Sequence, residues 1–135
     1  MNVKNNPKII ATSSLNYKQE ALDAGANVFH RRDAANGIEI FQKDVCGDGS
    51  AYCNTCNGIA MVIERNDGLR EMYRKILGKY CTRKDTPCIA HCYDTVEKAL
   101  KEYSEIQPGI VVVGIDFGPY GMTGLEFIEK IRKGE

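Results

Sequence analysis

No stretch of this 135-residue chain approaches the roughly 20 consecutive apolar residues that a bilayer-spanning helix needs. An apolar signal region is also missing behind the lysine of the opening Met1-Asn-Val-Lys-Asn-Asn-Pro7, so a cytoplasmic protein is the expectation. Net charge is absent: eighteen Lys and Arg offset eighteen Asp and Glu. Such a chain has no global attraction for nucleic acid or anionic lipid, and neither is expected as a partner. There is no internal repeat or low-complexity tract. A P-loop, GxGxxG, HExxH and any Ser-His-Asp ordering are missing too, which removes the usual nucleotide, dinucleotide, metalloprotease and serine-hydrolase signatures. Histidine is scarce: His30 and His91 both fall in predicted strands, where each reads as a packed or edge residue rather than a ligand or base.

What is present is a core's worth of apolar material. Hydrophobic residues make up 43% and charged residues 27%, a balance that argues against disorder and suits one domain over residues 1–135. Six cysteines are many for a reducing compartment, and there they argue for metal or thiol chemistry before structural disulfides.

The periodicity alternates strands and helices. Residues 8–12 (Lys-Ile-Ile-Ala-Thr), 27–31, 59–63, 88–92 and 110–113 read as strands, the last continuous and apolar as a central parallel strand should be. A helix over 16–25 takes Asn16 as its cap, with Gln19 three residues on, and Gly25 as its left-handed stop. Another is predicted over 33–43, with Ile38 and Phe41 inward. The helix over 66–77 carries Leu69, Met72, Tyr73, Ile76 and Leu77 on one apolar stripe, followed by a loop at 78–87. Asp94-Thr-Val-Glu97 and Thr123-Gly-Leu-Glu126 read as capping boxes opening two further helices, the last with Leu125, Ile128 and Ile131 inward. Segment 44–58, rich in Gly, Asn, Asp and Ser and holding three cysteines, is a loop. This alternation predicts an α/β fold: a parallel sheet with helices on both faces and functional groups at the carboxyl ends of its strands.

Four segments carry a family likeness. Asp116-Phe-Gly-Pro-Tyr-Gly-Met-Thr-Gly124-Leu-Glu126, directly after a Val-rich strand, resembles the phosphoacceptor segment of the receiver domain of two-component response regulators. In that family an aspartate ends the third strand and a glycine eight residues later opens the third helix. Pro7-Lys-Ile-Ile-Ala-Thr12-Ser13 resembles the fourth strand with its switch threonine or serine. Glu20-Ala-Leu-Asp-Ala-Gly25-Ala-Asn-Val-Phe29-His-Arg-Arg32 is similar to the fourth helix and fifth strand. Ile59-Ala-Met-Val-Ile-Glu64-Arg65-Asn-Asp-Gly-Leu-Arg70 resembles the first strand and its acidic turn.

The order is rotated. Residues 59–135 correspond to the family's N-terminal part, 1–43 to its C-terminal part, and 44–58 bridges the usual termini. The resemblance therefore implies a flavodoxin-like, doubly wound five-stranded parallel sheet in circularly permuted order, which closely spaced surface termini tolerate. A fragment cut across two tandem receivers and a domain-swapped homodimer are the rival accounts of the same order.

The resemblance also implies a site. Phosphoryl transfer to a carboxylate needs an exposed nucleophile, neutralising cationic charge and fixed donors. Asp116 is the implied acceptor, with Thr12 and Arg32 as phosphoryl contacts, Arg32 standing where the family has lysine. Asp33 and Tyr120 replace prolines common in the family. Phe29 takes the aromatic switch position. Glu64 is the candidate magnesium ligand, but the family's second acid there is Arg65, a charge substitute for the ion or a permanent partner for Asp116. The implied function is a signalling module served by a sensor kinase or a downstream signalling protein, either phosphorylated on Asp116 or acting as a phosphorylation-independent pseudo-receiver. Enzymatic activity would be limited to slow self-phosphorylation and dephosphorylation.

The cysteines support a second reading. In a receiver sheet, Cys53, Cys56, Cys81 and Cys88 converge on the pole opposite Asp116, with Cys46 as a substitute, as a site for zinc, an iron–sulfur cluster or disulfide pairing. The alternative function is thus a thiol-based zinc or redox sensor. Against it, Cys88 and Cys92 also read as small core residues. A flavodoxin-like cofactor binder is a third reading, disfavoured because no Gly-rich phosphate cradle follows the first strand.

Overall fold

A computed structural model describes residues 6–32, 58–80, 82–83, 86–116 and 121–134. The elements follow the hydrophobic pattern: β1 (Lys8–Ser13), α1 (Lys18–Ala24), β2 (Val28–Arg31), β3 (Ile59–Ile63), α2 (Asp67–Tyr80), β4 (Thr82–Arg83), β5 (Thr86–Pro87), β6 (Ile89–Tyr93), α3 (Val96–Ile106), β7 (Ile110–Gly114) and α4 (Gly124–Lys133). The helix predicted over 33–43, with Ile38 and Phe41, lies outside the described residues, as does loop 44–57.

Five strands form one sheet in the order β2-β1-β7-β3-β6, every pair parallel. The predicted α/β class with a parallel sheet is therefore correct. β7 is central, and all five of its residues are buried. At roughly 1.5–3 kcal/mol per fully buried aliphatic side chain, Ile110 to Val113 anchor this strand and set the height at which the chain leaves the sheet.

Alternation along the strands divides the core in two. One face carries Ile9, Ala11, Met61, Ile63, Val111 and Val113, covered by Ala21 of α1, Val96 and Ala99 of α3, and Phe127, Ile128 and Ile131 of α4. The other carries Ile10, Ala60, Val62, Ile110 and Val112 under Tyr73, Ile76 and Leu77 of α2. Among the described residues no helix is long and apolar enough to cross a membrane.

Some local expectations shift. Tyr17, not Asn16, is the N-cap of α1 and supplies no side-chain cap bond. Asn16 Oδ1 instead accepts from Lys18 N at 3.3 Å, a local turn that competes with capping. Gly25 does end α1 in the left-handed region, at φ 119°. Thr95 rather than Asp94 caps α3, accepting from Lys98 N at 3.2 Å, while Asp94 pairs with the Lys98 ammonium at 2.9 Å. The loop expected at 78–87 is in part structured: α2 runs on to Tyr80, and β4 pairs antiparallel with β5. The capping box at Thr123 and Glu126 forms as expected.

Candidate functional site

β7 ends at Gly114, the amide of Ile115 still reaches Thr12 O at 3.0 Å, and Asp116 then emerges exposed at the strand's carboxyl end. Gly124 sits directly over that end. Its amide donates to Ile115 O at 3.1 Å, and a Cβ on it would collide with the Gly114 carbonyl oxygen. Only a glycine lets α4 start this close to β7. Beside it, Met122 N donates to Glu97 Oε1 at 3.2 Å, tying the start of α4 to α3. Residues 117–120, Tyr120 among them, lie outside the described residues.

Asp116 shares an open cleft of about 420 Å³ with Arg32, Glu64, Arg65, Asn66, Asp67 and Leu69. Three of these leave the carboxyl ends of strands in one sheet: Asp116 from β7, Glu64 from the adjacent β3, and Arg32 from β2 at the sheet's edge. Glu64 is 4% exposed. Its Oε1 accepts from Arg32 Nη1 at 3.0 Å and its Oε2 from Asn66 N at 3.1 Å. The turn below is fastened by Arg70, whose Nη1 donates to Glu64 O at 2.8 Å and whose Nη2 pairs with Asp67. Gly114 makes room for the carboxylate: a Cβ there would stand 2.8 Å from Glu64 Oε1.

Thr12 lies beneath the cleft, fully buried, and its hydroxyl accepts from Arg32 Nη1 at 3.4 Å. It therefore reaches the cleft through Arg32. The Tyr73 phenol is buried beside the same groups. Burial pushes its pKa up, the Thr12 hydroxyl and the Arg32 charge act the other way, and the Glu64 charge adds to the rise. Phe29 is paired in register with Ala11 and packs half-buried on the opposite core. Arg65 is exposed at the cleft's rim.

The residues present do not fit a magnesium ion. Magnesium requires oxygen donors in near-octahedral array and gives up its water reluctantly. Here the buried Glu64 carboxylate has both oxygens engaged, one by a guanidinium, and the next residue is Arg65 rather than a second acid. An ion would have to displace Arg32 from Glu64 and lie beside two cationic side chains.

Of the cysteines, Cys88 is buried in the core around Val62 and Tyr73, and Cys92 packs half-buried against that core. Burial pushes the Cys92 thiol up from its ordinary pKa. Cys46, Cys53, Cys56 and Cys81 lie outside the described residues. Among the described residues there is no group of three metal-ligating side chains. His30 is buried in β2 and His91 half-buried in β6.

No family model, no curated protein and no solved structure matches this chain.

Three of the residues that shape the cleft are not among the candidates the sequence offers. Tyr73 reads as one member of an apolar stripe, and nothing in the spacing marks where its hydroxyl ends. Arg70 carries no role in the sequence pattern, although its place six residues after Glu64 brings it back over the turn. Gly114 falls one residue past the strand read over 110–113, at a strand end where a glycine is itself a signal of close approach.

Proposed function

We propose that this protein is a receiver-like signalling module, circularly permuted relative to the receiver domain, acting through a partner such as a sensor kinase or a downstream signalling protein. The carrying observation is the convergence of Asp116, Glu64 and Arg32 from three strand ends into one cleft, with Thr12 beneath. Ligand sites of open parallel sheets lie at such carboxyl ends.

The sheet order supports a flavodoxin-like reading. Counted from β3 in the family's order, β6-β3-β7-β1-β2 becomes 2-1-3-4-5, the doubly wound order. Permutation draws support from the far side of the sheet: Arg132 Nη1 in α4 donates to Asn6 Oδ1 at 2.7 Å, across 126 positions. The family's connection from third helix to fourth strand would run there. One chain supplies all five strands of the described sheet, which favours permutation over the swapped and tandem accounts.

In this reading an oxygen of the Asp116 carboxylate bonds to phosphorus as the donor's bond to phosphorus breaks, and the leaving group departs with the electron pair. The engaged state of Glu64 favours one further reading, a pseudo-receiver that signals by binding alone. Beryllofluoride, a phosphoryl mimic on aspartate, separates the two. Amide NMR shifts around Asp116, Thr12 and Phe29, abolished by Asp116→Asn, are the expected result for the phosphoacceptor. A flat titration, with and without magnesium, would leave only the binding module.

A further inference from the structure

We propose that the cleft accepts a phosphoryl-type oxyanion without a divalent cation, the Arg32–Glu64 pair taking the ion's place and Arg32 passing from Glu64 to the oxyanion. The inference rests on the receiver-like reading and concerns what neutralises the charge that Asp116 would carry.

A phosphoryl group on a carboxylate brings about two negative charges, which need cationic partners within a few ångströms. The family to which the chain is similar is implied to use an ion held by two acids. In this cleft one acid is replaced by Arg65 and the other, Glu64, is matched with Arg32 at 3.0 Å. The ion's charge is thus already present as a guanidinium, its side chain 20% exposed and lining the same space as Asp116. A guanidinium forms paired bonds to phosphoryl oxygens as readily as to a carboxylate, so an oxyanion on Asp116 would compete with Glu64 for Arg32. Asp67 is matched with Arg70 at the turn, leaving the Arg65 charge to the rim on which the oxyanion would sit. Movement of Arg32 would also withdraw a donor from Thr12 and a cation from beside the buried Tyr73, which carries the change into the sheet and α2.

The mechanism makes a prediction of opposite sign to a metal site. Glu64 competes with the oxyanion for Arg32, so removing its charge should strengthen binding. In a metal-dependent site the same change removes a ligand and weakens it.

The test is a beryllofluoride titration of the full chain followed by NMR of the arginine side chains and of Asp116. The trifluoroberyllate exchanges its water for an Asp116 carboxylate oxygen, so a beryllium–oxygen bond forms and water leaves. Half-saturation is expected to be the same in chelator and in millimolar magnesium. Glu64→Gln should tighten it by at least ~5-fold, the lower end of usual coupling between sites. Arg65→Ala, at an exposed position, should weaken it. An adduct that forms only with magnesium, or a Glu64→Gln variant that binds more weakly, overturns the inference and leaves the receiver-like reading standing. The magnesium comparison uses the unaltered chain, so it decides even where a variant fails to fold. The absence of any Asp116-dependent adduct in either buffer overturns the phosphoacceptor reading and this inference with it.

Discussion

Arg32 Nη1 and Glu64 Oε1 meet at 3.0 Å although 32 residues separate them, and the meeting joins the carboxyl ends of β2 and β3 across two intervening strands. The Glu64 carboxylate would not be buried alone: a solitary carboxylate at 4% exposure costs far more than its packing returns. The pair is therefore a structural element as well as the floor of the cleft.

Arg32→Ala should lower stability by about 2–3 kcal/mol, somewhat under the value for a fully buried pair because the Arg32 side chain keeps 20% exposure. Glu64→Gln preserves the shape and one acceptor, and should cost less than ~1 kcal/mol. Urea midpoints at constant slope measure both, and equal losses for the two variants would contradict the pairing.

Gly114→Ala should disturb the same carboxylate from the other side. The added Cβ would stand 2.8 Å from Glu64 Oε1, closer than such contacts occur, at a cost of about 1–3 kcal/mol. In a Glu64→Ala background most of that penalty should vanish. A double-mutant cycle reads this as a coupling above ~0.5 kcal/mol, and strict additivity would sink the argument.

Arg132 gathers three contacts: Nε to Gly25 O, Nη1 to Asn6 Oδ1 and Nη2 to Asn27 Oδ1, each at 2.7 Å. Asn27 Oδ1 also accepts from Ile9 N at 2.7 Å. Arg132→Ala should cost about 1–2 kcal/mol and speed hydrogen exchange at Ile9 more than at Val112 in the sheet centre.

A chain rejoined from Gly134 to Asn6 by about four residues, each spanning at most ~3.5 Å, and reopened within 44–57, should fold to the same sheet. The amide NMR fingerprint of β1, β3 and β7 checks it. A rearranged or strand-exchanged product would argue against permutation at that point.

Alkali should weaken the fold through Tyr93. Burial first, and then the Glu102 carboxylate beside it, push its pKa up to about 12 from an ordinary 10.0. Between those values the unfolded chain releases the phenolic proton while the folded chain keeps it, so stability holds below about pH 10 and falls towards pH 12. Tyr93→Phe should flatten that slope. Denaturant midpoints across the range measure it, and an unchanged slope would assign the loss to other groups.

Much of this architecture was legible from one dimension. Continuous apolar runs marked the strands because a strand covered on both faces has no polar side to show. The Thr123–Glu126 box and the stop at Gly25 were legible because capping and left-handed turns are local events that a few residues settle among themselves. Asp116 and Gly124 stood out together only through the resemblance of their segment to the phosphoacceptor segment of receiver domains. The caps of α1 and α3 were misplaced by one residue, since Asn16 and Asp94 had local partners in Lys18 N and the Lys98 ammonium that spacing cannot rank against a cap.

The sequence by itself determined the periodicities, and through them the alternation of strands and helices and the residue types available to a site. Only the tertiary structure decided which of those residues meet. Arg32 engages Glu64 because β2 and β3 end at the same edge of one sheet. Gly114 admits that carboxylate because Val113 is in register with Ile63, and Tyr73 is buried beside Thr12 and Arg32 because α2 crosses that face. Such meetings depend on strand order and register, which non-local hydrogen bonding and burial select together, and no local run of residues encodes them.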